Sequence, residues 1–199
     1  LCALQKYRAY IKTYINSHSH FLTSLVPIEL DRFAPAIIRD MIIATIRSHV
    51  GPMAAVAGAI AENVGKDLLK ESKNVIIENG GDIFMNCQND IHIGVFAGNS
   101  PLRDKITMIV REKEMPMGIC TSSGTIGHSL SFGIADAVCV KAKSATLADA
   151  AATSICNMME SKKDIHRGLR EGMKIENILG IVVIIDDELG VIGDIELVR

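Results

Sequence analysis

At the start of the chain the apolar positions fall at helical spacing. Leu4, Tyr7, Ile11, Tyr14 and Ile15 share one side, with Lys6, Arg8 and Lys12 between them. This predicts a helix over about 2–17 with a basic, solvated outer face. A second stripe, Ile37, Ile38, Met41, Ile42, Thr45 and Ile46, predicts a helix that Pro35 opens, because proline suits a first turn, and that ends near His49. Gly51 closes it, and Pro52 starts another helix reaching about residue 71. Residues 52–61 are nearly all small and apolar, and a helix without a polar face is normally buried. Packing alone explains such a helix; alternatively its start at Gly51 and Pro52 presents free N–H groups to an anion.

Past residue 73 the pattern changes to that of strands, at about 74–79, 82–87, 91–97, 105–110, 117–121 and 135–142. Gly98-Asn99-Ser100-Pro101 is a turn signal, and the Ser-, Thr- and Gly-rich segment 121–133 reads as loop. Ser144 or Thr146 caps a helix to about Met159. Another helix covers about 164–173, and 181–186 with 191–198 form a closing hairpin around Glu188-Leu189-Gly190. No repeat, low-complexity tract or linker interrupts the order. The expectation is one α+β domain over 1–199 that begins with a helical segment at about 1–25.

Composition narrows the function. Of 199 residues, 48% are hydrophobic, which sets disorder aside. A net charge of −2 and 4% aromatics without Trp give no electrostatic or stacking case for a nucleic-acid partner. The longest apolar runs, such as 53–61 and 181–185, are too short to span a bilayer, and no signal-peptide pattern is visible. A cytoplasmic protein with no membrane partner is expected. The five cysteines, Cys2, Cys87, Cys120, Cys139 and Cys156, lie far apart with no CxxC pair, which predicts buried free thiols. High apolar content and wide apolar helix faces predict a homodimer or higher oligomer.

Three stretches could carry chemistry. Asn79-Gly80-Gly81-Asp82 is either a tight hairpin corner or a bared backbone that admits a ligand, with Asp82 aimed at it. Thr121-Ser122-Ser123-Gly124-Thr125-Ile126-Gly127-His128 offers four hydroxyls, two glycines and a histidine; such a loop binds polar or anionic groups, and His128 could move a proton. Asp149 and Thr153, four apart, share a helix face and can hold Mg2+ with help from backbone and phosphate oxygens. Alternatively, Thr146-x-x-Asp149 is a capping box in which Asp149 only accepts backbone N–H groups. A hydrolytic set of Ser122 or Ser123 with His128 and Asp136 is disfavoured, since triads assemble from distant segments. His18-Ser19-His20 reads as loop rather than a metal site, with no carboxylate or thiol beside it.

In order, these pieces resemble a known family. A small-residue helix, Asn-Gly-Gly-Asp-Ile, Thr-Ser-Ser-Gly, a His-led loop and Ala-Asp-x-x-x-Thr follow one another as in the ApbE flavin transferases. Closer still is an uncharacterised, mostly prokaryotic group related to them, in which the stretches from Val50 to Gly58 and from Gly118 to Gly124 are typical. The resemblance spans about residues 20–195. It implies an ApbE-like domain of antiparallel sheet with packed helices, and a flavin- or nucleotide-type small-molecule pocket, for FAD or FMN with Mg2+, in an enzyme that acts on a phosphorylated or diphosphate ligand. Gly80, Gly81 and Asp82 would line that pocket, Asp149 and Thr153 would hold the metal with a carbonyl near Pro52, and His128 would match the family's catalytic loop. Ser131 stands where that loop has an aspartate, and Ala55-Val56 where the family has Lys-Gly. The alternative is therefore a non-catalytic binding or oligomeric assembly protein that has lost transferase chemistry.

Overall fold

The computed structural model describes residues 2–125 and 131–198. Its helices are α1 (Cys2–Ser17), α2 (Ser19–Thr23), α3 (Ala36–Ser48), α4 (Val56–Leu68), α5 (Ala145–Asn157) and α6 (Ile165–Gly172). Its strands are β1 (Val75–Asn79), β2 (Asp82–Asn86), β3 (Ile91–Gly94), β4 (Thr107–Val110), β5 (Met117–Ser122), β6 (Ala137–Ala142), β7 (Ile178–Ile185), β8 (Glu188–Gly193) and β9 (Glu196–Val198). The fold is α+β, with antiparallel sheets, packed helices and a helical N-terminal segment. One six-stranded sheet runs β1-β2-β5-β6-β7-β8, and a second runs β3-β4-β9.

Side-chain alternation divides the core in two. Along β7, Ile181, Val183 and Ile185 enter the core shared with the helices, while Val182 and Ile184 enter the core against the smaller sheet. Likewise in β6, Val138 and Val140 face the helices and Ala137 and Cys139 the smaller sheet. Because both faces of β6 and β7 are covered, they read as unbroken apolar runs rather than alternating ones. Lys141 falls on the smaller-sheet side and is buried, with Nζ donating to Glu114 Oε1 at 2.6 Å and to the Asp194 carbonyl at 2.9 Å.

Several local expectations are revised. Pro35 is the N-cap of α3 rather than part of its first turn, and His49, in the left-handed region at φ 56°, ends that helix before Gly51. Residues from Pro52 to Ala55 form a 3-10 turn ahead of α4. His18 stacks on Tyr14 at 4.0 Å between ring centroids, and Ser19 opens α2 where a loop was expected. The closing hairpin turns at Asp186, two residues before the predicted corner. Its second strand is broken at Gly193 (φ 80°), after which β9 pairs with β4 in the other sheet. Four cysteines are buried, but Cys2 is exposed. No helix among the described residues is long and apolar enough to cross a membrane.

Candidate functional site

The corner between β1 and β2 is a hairpin turn built on Gly80 (φ 67°) and Gly81 (φ 99°), with Asn79 opposite Asp82 in the register. Two consecutive positive φ angles are what a Gly-Gly pair permits without strain. A Cβ on Gly80 would meet nothing within 4 Å, so the backbone here is open on one side. A cleft of about 800 Å³ lies beside the corner, between the β1–β2 end of the large sheet and β3. That volume is in the range of small-molecule sites. Ile76, Ile83, Met85, Ile91, Ile93 and Phe96 make it largely apolar. Its polar lining includes Asn79, Asp82, Thr121, Ser123 and Asp136.

Asp82 begins β2, opposite Cys120 of β5, and is 8% exposed. Burial pushes its carboxyl up to about 7, against the opposing pull of the Cys120 thiol and the Thr121 N–H. Asp149, on α5, lies behind the same corner. It keeps part of its surface open, yet its carboxyl stands well above the ordinary range. Burial is the first cause and the charge of Asp82 the second, opposed by the N–H groups of Gly58 and Ala57. The Cys120 thiol, raised by burial and by both carboxylates, donates to the Ala145 carbonyl at 3.2 Å. A buried acid raised by the charge of a second one favours a retained proton or a bound cation.

The start of α4 joins this acid pair to the cleft. Ala57 lines the cleft and its carbonyl accepts from Asn79 Nδ2 at 3.2 Å. The next residue, Gly58, donates its N–H to Asp149 Oδ2 at 2.8 Å. A Cβ on Gly58 would overlap the Ala145 carbonyl oxygen, so glycine lets α4 and α5 touch. The return contact comes from Glu62 of α4, whose Oε2 accepts from Ser144 Oγ at 2.7 Å and from Thr146 N and Oγ1 at 2.9 Å. Its Oε1 accepts from Lys66 at 2.6 Å. Burial alone would raise the Glu62 carboxyl, but the bonds from Lys66, Thr146 and Ser144 outweigh it and leave it below its ordinary value. Each helix start is thus held by a carboxylate of the other helix. The capping box expected within α5 does not form: Ser144 is its N-cap and accepts from Leu147 N, while Asp149 reaches across to α4.

Of the residues singled out from sequence, Asn79, Gly80, Gly81, Asp82, Thr121 and Ser123 line one cleft. Gly51 and Pro52 do not line it; Gly51 packs against the Ser24 carbonyl, and the part of this segment that reaches the cleft is Val56 and Ala57. Ser122 alternates to the opposite side of β5, toward the helices. It is buried, its Oγ without a hydrogen-bond partner among the described residues. Gly124 donates its N–H to the Ala135 carbonyl and packs against Gly133. Thr153 is buried one turn beyond Asp149. His128 lies outside the described residues. Sequence reasoning missed Glu62 and the β3 wall. The signal for Glu62 was its spacing, since Gly58, Glu62 and Gly65 share one face of α4 and all are buried. Among the described residues no three His, Cys, Asp or Glu side chains converge for a metal.

Comparison with known proteins adds to this geometry. The family model described as AbpE bacteria matches residues 2–187. A UPF0280 protein of Methanocaldococcus jannaschii is 44% identical over 200 residues, 98% of this chain and 81% of that protein. A UPF0280 protein of Methanococcus aeolicus is 44% identical over 193 residues, 94% of this chain and 78% of that protein. Among solved structures, the apbe protein of Thermotoga maritima superposes with a TM-score of 0.54 at 14% identity, over 71% of this chain. The chain spans 50% of the length of that structure, and the likeness is one of fold.

Proposed function

The chain belongs to the AbpE bacteria family, and from that premise we propose that its cleft binds a flavin- or nucleotide-type ligand, FAD or FMN by motif, with Mg2+ held by Asp149 and Thr153. The observation that carries this reading is the apolar cleft beside the Gly80–Gly81 corner with two buried acids at it, Asp82 in its lining and Asp149 behind it on the Gly58 N–H, whose carboxyl is raised first by burial and second by the charge of Asp82. Buried acids side by side, raised chiefly by desolvation, gain from a divalent cation that offsets their charge. The donor set, a carboxylate and a buried hydroxyl one turn apart, suits Mg2+ provided ligand and backbone oxygens complete the shell. When bound, the ion would offset the charge of a phosphate or diphosphate. The chain's own part is to fix Asp149 against Gly58, to seat an apolar ring against the wall that includes Phe96, and to hold a proton near the corner on Asp82. By motif, His128 is the second proton carrier.

A second reading, binding without transfer, is favoured by one observation. At the place of the family's Lys-Gly, Ala55 is fully buried and Val56 lines the cleft, so no charge is offered there. Both readings suit a cytoplasmic protein that self-associates through exposed apolar residues such as Leu25, Val26 and Phe33. Native mass spectrometry of the protein mixed with FAD, FMN or ATP in Mg2+ tests the common core. One bound equivalent of at least one of them is expected, lost in chelator; retention of none speaks against a flavin or nucleotide site.

A further inference from the structure

A site for phosphate ordinarily shows lysine, arginine or a row of free N–H groups where the oxygens come to rest. This cleft shows the opposite charge. Among the described residues its lining includes the carboxylates of Glu78 and Asp136, the raised acid of Asp82 and one histidine, His92, and no lysine or arginine. Residues 126–130, which lie outside the described set, contain neither. Arg103 stacks on the lining residue Phe96 at 4.6 Å, but its guanidinium is paired with Asp104 at 3.3 Å. Asp136 is held in place by the Asp186 N–H at 2.7 Å and the Thr125 hydroxyl at 3.3 Å. Glu78 stands at the exposed rim.

We infer that the cleft selects its ligand by charge: it takes an uncharged ring-bearing group unaided, and rejects the phosphate ester of that group unless a divalent cation enters with it. The inference rests on the proposed reading of the cleft as a ring site, and deepens it by stating which form of ligand binds to the metal-free protein. Like charges in a partly desolvated cleft repel far more strongly than in water, whereas the apolar wall gains by burying a ring whatever its substituent.

Two matched pairs test it: riboflavin with FMN, and adenosine with AMP, each titrated into dialysed protein in chelating buffer at low salt. In each pair that binds, the unphosphorylated member is expected to bind at least tenfold more tightly. The gap should narrow with added salt, which screens the repulsion, and with Mg2+. Glu78→Gln, at the solvent-facing rim, should strengthen FMN binding more than riboflavin binding. FMN bound as tightly as riboflavin in chelator would overturn the inference and leave the ring site standing. Binding of none of the four, with or without Mg2+, would overturn both.

Discussion

Asp149 accepts the backbone N–H of Gly58 at 2.8 Å, across 91 positions of the chain. The bond ties the helix that carries the proposed metal ligands to the helix start that forms part of the cleft wall. Glu62 makes the reverse tie, and the geometry of the site rests on both.

Asp149→Ala leaves the Gly58 N–H without its acceptor, and a loss of about 1–2 kcal/mol in unfolding free energy is expected. Asp149→Asn keeps an acceptor oxygen and should recover most of that loss while removing the charge. Urea denaturation of the two variants side by side checks this, and an alanine variant as stable as wild type would contradict it.

Glu62 has a larger effect. Glu62→Ala strips Lys66, Ser144 and Thr146 of a common acceptor at a 6% exposed site, at a cost of about 3–4 kcal/mol. Because its folded carboxyl lies below the ordinary value, its contribution is present above the unfolded value of about pH 4.5 and fades as pH falls through the folded one. Chemical denaturation at neutral and at acid pH should therefore show the difference between variant and wild type shrinking on acidification.

Asp82 titrates with the opposite sign. Below about pH 4 it is protonated folded or unfolded. Between there and its folded value of about 7 the folded state holds a proton that the unfolded state has released, so stability falls as pH rises. Asp82→Asn should flatten that slope and be the more stable protein at pH 8, by about 2–4 kcal/mol at most. Thermal melts from pH 4 to pH 8 decide the matter; parallel curves for variant and wild type would refute it.

Gly58→Ala offers a better helix former, worth about 1 kcal/mol, but its methyl meets the Ala145 carbonyl and the Asp149 Cβ. Overlap with backbone dominates, and a net loss of about 1–3 kcal/mol is expected in equilibrium unfolding. A stabilised variant would show that α4 and α5 can move apart freely.

Local pattern made much of this legible. The α1 and α3 stripes, the Gly80–Gly81 hairpin and the strands through β6 could be read from spacing and glycine chemistry. What could not be read depends on contacts distant in sequence. The departure of β9 from its hairpin turns on Gly193, which looks like any glycine in a strand. Lys141 interrupts an apolar strand run, and its burial depends on Glu114 and Asp194, both distant in sequence. Glu62 looks like a solvated helix acid, because its partners Ser144 and Thr146 lie more than eighty positions away. In the cleft, the β1–β2 wall was visible as a motif, whereas the β3 wall arrives only through the packing of one sheet on the other.

The most direct test is calorimetric titration of FAD into wild type and Asp149→Asn, each with Mg2+ and with chelator. Mg2+ is expected to tighten FAD binding at least tenfold in wild type and to change it little in the variant. Equal FAD affinity of the wild-type protein with and without Mg2+, or an equal Mg2+ effect in both proteins, would contradict a metal at Asp149.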